Sequence, residues 1–171
     1  MTKPDEKSEL TLVRIFDAPP AIVFEAWTDP RYVSRWWGPK GFTAPHCRID
    51  LRVGGSFLFC MRSPDGKDYW NTGVYHEIVV PRKIVSAMYF SDKQGNRRSP
   101  ADYGFAADFP AEMIDIVTFE PHGQGQTKLT LRRNHPLSLA KRYGEDQGWN
   151  ESLDRLAVAI SAGPIQAGSK S

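Results

Sequence analysis

No stretch of this sequence approaches the roughly 18 uninterrupted apolar residues that a membrane-crossing helix requires, so no membrane span is expected. The first residues, MTKPDEKSEL, are polar and lack the apolar core of a secretion signal, which makes a cytoplasmic address the expectation. Cysteine is scarce. The two present, Cys47 and Cys60, cannot build a disulfide scaffold and read as reduced thiols in a reducing compartment. Charge of one sign is also missing: Lys+Arg of 22 against Asp+Glu of 20 leaves a net charge of +2, with neither a basic run nor an acidic tail, so no nucleic-acid partner is expected. The four histidines, at 46, 76, 122 and 135, are scattered, and there is neither a paired-histidine zinc motif nor a thiol pair at metal spacing. Nucleophile elbow, phosphate-cradling loop and dinucleotide fingerprint are absent as well, so neither metal nor cofactor is expected.

What is present suits one domain. In 171 residues, 40% are hydrophobic, enough to build a core. The expected domain spans 10–162, between tails at 1–9 and 163–171. LTLVRIF (10–16) has strand composition and is stopped by Ala18-Pro19-Pro20. A helix follows, with Ile22, Val23, Ala26 and Trp27 as its apolar stripe. A second short helix, about 31–36, starts from Asp29 as cap with Pro30 at its first position and ends at the pair Trp36-Trp37.

The segments HCRIDL and SFLFCM read as a hairpin through a three-residue loop, Val53-Gly54-Gly55. That loop pairs Leu51 with Phe57, Ile49 with Phe59 and Cys47 with Met61, which gathers the apolar partners on one face and sends Cys60 to the other. Further strands are read at 68–80, 83–90, 112–120 and 127–134, making one antiparallel meander. Residues 91–110 have no clear period, and a connection of that length suggests a flap over a cavity mouth. Towards the end the period changes to 3.6. Trp149, Leu153, Leu156 and Ile160 form one helical stripe over about 148–162, with Glu151 and Arg155 as an exposed ion pair, and Gly144 and Gly148 bending or splitting the helix upstream. A sheet with one apolar face and one long amphipathic helix has a natural α+β solution, in which the sheet curls around the helix.

The segments RIFDAPPAIVFEAWTDPRYVSRWWGPKGF, DLRVGGSF, NTGVYHEI and GWNESLDRLA, in that order, resemble the START-like (SRPBCC) superfamily. The branch is the one named for the activator of Hsp90 ATPase, called AHSA1-like. The resemblance covers about 10–162. It implies a helix-grip, Bet v 1-like fold with a hydrophobic cavity, and a superfamily range that includes lipid carriers, hormone receptors, cyclase components and co-chaperones linked to the stress response. The stretch around 97–110 is longer than the branch leads one to expect.

Candidate site residues follow from phase. Trp36 and Trp37, with Phe42 nearby, belong at the cavity mouth; adjacent residues on a short helix cannot share a direction, so one is assigned to the core and one to the rim. Phe57, Phe59, Met61, Trp70, Met88, Phe90 and Met113 are assigned to the concave face, opposite Trp149 and Leu153, where a Met- and aromatic-rich lining suits an adaptable apolar pocket. Most apolar strand residues are simply core, and that reading stands beside the first. His76, in phase with Trp70, Thr72 and Val74, is a candidate polar anchor, and Asp115, in phase with Met113, Val117 and Phe119, a candidate inward carboxylate. If adjacent, the two make an acid–base pair. Arg14 reads as solvated or paired across the sheet, and Arg132 and Arg133 as residues near a strand end. Three functions fit: a binder of a small hydrophobic or amphipathic ligand, an enzyme of cyclase or hydrolase type using His76 and Asp115, and a module that stimulates an Hsp90-type chaperone partner. A homodimer is compatible with all three.

Overall fold

Seven antiparallel strands form one sheet in the order β1-β7-β6-β5-β4-β3-β2. They are β1 (Glu9–Phe16), β2 (Thr43–Ile49), β3 (Ser56–Arg62), β4 (Asp68–Val79), β5 (Lys83–Ser91), β6 (Met113–His122) and β7 (Gln126–Pro136). The computed structural model describes residues 9–163; the tails expected at 1–9 and 163–171 fall almost wholly outside them, and Glu9 already begins β1. Helices α1 (Pro20–Thr28) and α2 (Pro30–Trp36) connect β1 to β2, and α3 (Leu137–Arg142) and α4 (Glu145–Ala162) follow β7. The first strand pairs with the last, Leu12 opposite Leu131, so the meander is completed by the chain's opening segment. This is the helix-grip arrangement: the sheet wraps the C-terminal helix.

Direct cross-strand partners share a face of a sheet, which fixes what points inward. One concave row runs Phe57, Gly73, Met88, Met113, and the next runs Tyr75, Ser86, Asp115, Arg133. Gly73 is where the concave face is tightest. A Cβ added there would lie 2.2 Å from Cζ of Phe57 and 2.3 Å from the Ala87 carbonyl oxygen. Alanine normally gains about 0.5–1 kcal/mol over glycine in a strand, but here steric overlap decides the sign. Gly73→Ala is expected to lower the unfolding free energy by about 1–3 kcal/mol in urea titration; parental stability in the variant would refute the close approach.

The hairpin register differs from the expected one by two residues. Ile49 pairs with Phe57 and Cys47 with Phe59, while Leu51 is 39% exposed. The reason is the turn, which is longer than three residues and is docked on β4: Gly54 N–H donates to the Tyr75 carbonyl (2.8 Å), and Tyr75 N–H to that of Gly55 (3.0 Å). A shift of two preserves parity, so the faces hold. Cys47 lies on the inner side and Cys60 on the outer, both free, and burial pushes their thiols up to about 12 and about 11.

The helices also depart in detail. Asp29 caps α2, accepting the Arg31 N–H at 2.9 Å, with Pro30 leading. On α1, however, Ile22 is exposed and Phe24 is buried in its place, edge-on to Phe119 at 5.3 Å. Gly144, with φ of 72°, separates α3 from α4, whereas Gly148 lies within α4, facing Pro39. Residues 151 and 155 do not pair with each other. Arg155 donates to the carbonyls of Gly38 (2.8 Å), Arg35 (3.1 Å) and Pro39 (3.2 Å), and Glu151 accepts the Lys40 N–H at 3.1 Å. Together they pin the Trp36-Trp37 turn to α4. Arg14 reaches a helix carboxylate rather than one across the sheet, donating to Asp154 at 2.8 Å.

Candidate functional site: an aromatic cavity with a buried charged wall

Between the sheet, α4, the turn after α2 and the 91–110 segment lies a cavity of about 280 Å³. Trp37, Phe42, Met61, Met88, Phe90, Met113 and Trp149 form much of its wall, joined by Tyr69, Asn71, Phe105, Phe109, Tyr143 and Ser152. Behind Trp37, Met88 and Trp149 is a smaller void of about 30 Å³, bordered by Phe57, Phe59, Tyr75, Asp115 and Val117. Leu153 is buried in the core and borders neither space. Trp36 also belongs to the core, where its indole N–H donates to the Ala26 carbonyl at 2.9 Å. Trp37 alone of the pair borders the cavities, ring against ring with Phe59 at 4.7 Å and Trp149 at 5.6 Å. Its indole nitrogen is buried without a partner.

Two candidates lie on the wrong face. Trp70 stands in the outer row with Cys60 and Ser91, and His46 lies 5.4 Å from its ring. His76 is exposed, at the irregularity between Tyr75 and Glu77 where β4 slips against β5. The phase expected for β4 is therefore reversed: Tyr69, Asn71, Gly73 and Tyr75 face in. Phe57 occupies the space above Gly73, so the inward row there needs a residue without a side chain, which apolar alternation does not reveal. The acid–base pair of His76 with Asp115 does not form.

Asp115 does face inward, but its partner is Arg133, directly across β6 and β7. Nε of Arg133 donates to one carboxylate oxygen at 2.7 Å and Nη2 to the other at 2.8 Å, a bidentate pair. Nη1 donates to Glu145 at 2.9 Å, and the second Glu145 oxygen lies 2.8 Å from Nδ1 of His135. Arg133 is 4% exposed and His135 0%. Burial works to raise the Glu145 carboxyl, but the His135 hydrogen bond and the Arg133 charge outweigh it and hold the group below the ordinary carboxylate range. Burial likewise opposes the Arg133 charge, and Asp115 and Glu145 overcome it, raising its pKa.

Arg133, Glu145 and His135 were not among the sequence candidates. A signal existed: Leu129, Leu131, Arg133 and His135 alternate as one buried phase of β7, so the arginine falls inward while Arg132 falls outward. Glu145 carried no such signal, because the left-handed Gly144 that aims it is a matter of backbone conformation.

The 91–110 segment lies over the cavity. Its path starts from a turn around Asp92 and a 3-10 turn, Pro100–Tyr103, capped by Ser99. The Tyr103 hydroxyl donates to the Ser91 carbonyl at 2.5 Å and accepts the Trp70 N–H at 3.3 Å, tying the segment to the sheet. Phe105 and Phe109 then contact each other at 4.5 Å and Tyr143 at 5.5 and 5.0 Å. Asp108 pairs with Arg142 and accepts the Tyr143 hydroxyl at 2.9 Å, closing the span between this segment and the end of α3.

A model of the activator of Hsp90 ATPase homolog 1-like protein family matches residues 17–161. The chain belongs to this family. Among solved structures, a protein of Mycobacterium smegmatis is 26% identical, with 91% of this chain and 90% of that one covered and a TM-score of 0.71. One from Arthrobacter aurescens reaches a TM-score of 0.76 at 23% identity, covering 95% of this chain and 91% of its own. The AHSA1 protein of Silicibacter pomeroyi gives 0.68 at 23% identity, covering 91% and 99%. These likenesses establish the helix-grip fold. No protein of curated function matches the chain. Among the described residues, no group of three His, Cys, Asp or Glu is arranged to hold a metal ion, and no helix is long and apolar enough to cross a membrane.

Proposed function

We propose that this chain binds a small, largely apolar molecule in the 280 Å³ cavity, with the 91–110 segment as its cover. The observation that carries the reading is the cavity itself: aromatic and methionine side chains surround open space rather than interdigitating. A well-packed interior leaves few voids larger than a water, and this space is open to solvent along a largely apolar lining. Wetting such a lining is unfavourable, so an apolar occupant that displaces the water is stabilised there. Ligand pockets run from roughly 300 to 1,000 Å³, so a molecule of one or two rings suits this one.

Native mass spectrometry of protein purified from its own host tests the reading, alongside thermal-shift screening against fatty acids, aromatics and polyketide-like compounds. The expected result is a co-purifying mass or a saturable stabilisation, about 2.7 kcal/mol at a ligand concentration 100 times Kd, that weakens in Trp37→Ala. A clean apo mass with no shift would instead favour an interaction surface of the kind the family's name carries.

A further inference from the structure

The charged wall restricts which polar group a ligand can bring. Arg133 is the one cationic side chain lining the cavity among the described residues, and its charge is already matched. With the ion pairs to Asp115 and Glu145, the formal sum is +1 − 1 − 1, or −1 with His135 neutral and zero with His135 protonated. In neither state does the wall present a positive charge. It does present hydrogen-bond donors: a guanidinium has five N–H groups, and Asp115 and Glu145 take three of Arg133's. A further donor, the Trp37 indole N–H, is buried without an acceptor, on a ring that borders both this cavity and the smaller void behind it. Donors without net positive charge suit a neutral oxygen, whereas a carboxylate would be desolvated against the Glu145 carboxylate on the cavity wall and the Asp115 carboxylate behind Arg133.

We propose that Arg133 and Trp37 receive the neutral carbonyl or ether oxygen of an aromatic ligand, and that Asp115 and Glu145 set this selectivity by excluding ligands that carry a carboxylate. The inference rests on the cavity reading and deepens it. Asp115 and Glu145 act here through Arg133, as specificity-determining residues.

Four probes on one scaffold test it by isothermal titration calorimetry of the full chain: 2-acetylnaphthalene, 2-ethylnaphthalene, 2-naphthoate and 2-naphthylmethylammonium. The ketone is expected to bind at least about tenfold more tightly than the ethyl compound, the difference one hydrogen bond to a charged donor makes. The naphthoate is expected to bind more weakly than either. In Glu145→Gln, and independently in Asp115→Asn, one of the two negative charges is removed while the other still pairs with Arg133, so the wall's formal sum rises from −1 to zero with His135 neutral, and naphthoate affinity should rise about tenfold or more over the parent. Should both variants fail to fold, the parent's ranking decides. Equal affinity for ketone and ethyl probes, or tightest binding by the naphthoate or the ammonium, would overturn the inference while leaving the cavity reading intact. Absence of binding by all four would overturn both.

Discussion

Replacing Arg133 with methionine is expected to lower the unfolding free energy by about 3–5 kcal/mol at pH 7, the cost of removing one partner from a buried ion pair. Methionine keeps much of the apolar stem, so the effect isolates the guanidinium. Asp115 and Glu145, each with a side chain about 10% exposed, would be left without their shared cation. His135 still serves Glu145, but Asp115 has no substitute donor. Since whole domains are stable by only about 5–15 kcal/mol, the variant should unfold at a much lower urea concentration.

The pH dependence gives the prediction a sign that a simple packing defect lacks. In the parent, the Glu145 carboxyl is held below its ordinary value of 4.5, so its contribution is present above that pH and is lost as pH falls through the lower folded value. In Arg133→Met, the buried carboxylates lose their shared cation and only Glu145 keeps a partner, His135, so the folded state gains from taking up protons. Its stability should therefore rise, relative to the parent, as pH falls from 7 towards 4.5. Urea titrations of both proteins at the two pH values measure this. A constant gap would mean that the loss is one of packing and that the ion pairs are energetically idle.

How much of this was legible in the sequence depends on which signal carried it. The strand segments, the meander, the long C-terminal helix and the Asp29-Pro30 start of α2 all follow from local patterns, and each is present in the structure. Faces were legible where alternation was strict, as along β6, where Met113, Asp115, Val117 and Phe119 share the buried phase. They were misread on β4, where both phases contain aromatics and the deciding residue is Gly73, whose role depends on a ring from β3. His76 was misplaced for the same reason, since it shares the phase of Trp70, Thr72 and Val74, which is the outer one. The charged wall was the least legible part. Charges on adjacent arginines read as solvent-facing by default, and only pairing with Asp115 across one strand and Glu145 from a helix start makes a buried arginine tolerable.

The Trp36-Trp37 pair should separate into a stability residue and a site residue. Trp36→Ala is expected to cost about 3–5 kcal/mol, the range for removing a large aromatic from a core. Part of that loss has a cause visible in the chain. The Ala26 carbonyl would ordinarily accept from the N–H four residues on, but residue 30 is proline and has none. The Trp36 indole N–H fills that vacancy at 2.9 Å. Trp36→Phe keeps most of the bulk yet orphans this carbonyl, so it should still cost about 1–3 kcal/mol. Trp37 offers the opposite case. Its indole N–H has no acceptor to lose, and its ring forms part of the partition between the two voids. Trp37→Ala should therefore cost less stability than Trp36→Ala, while joining the voids and removing ligand-dependent stabilisation. Denaturant titration with and without 2-acetylnaphthalene measures both quantities on the same samples. If Trp37→Ala proves the more destabilising, or if Trp36→Phe matches the parent, this division of roles is wrong.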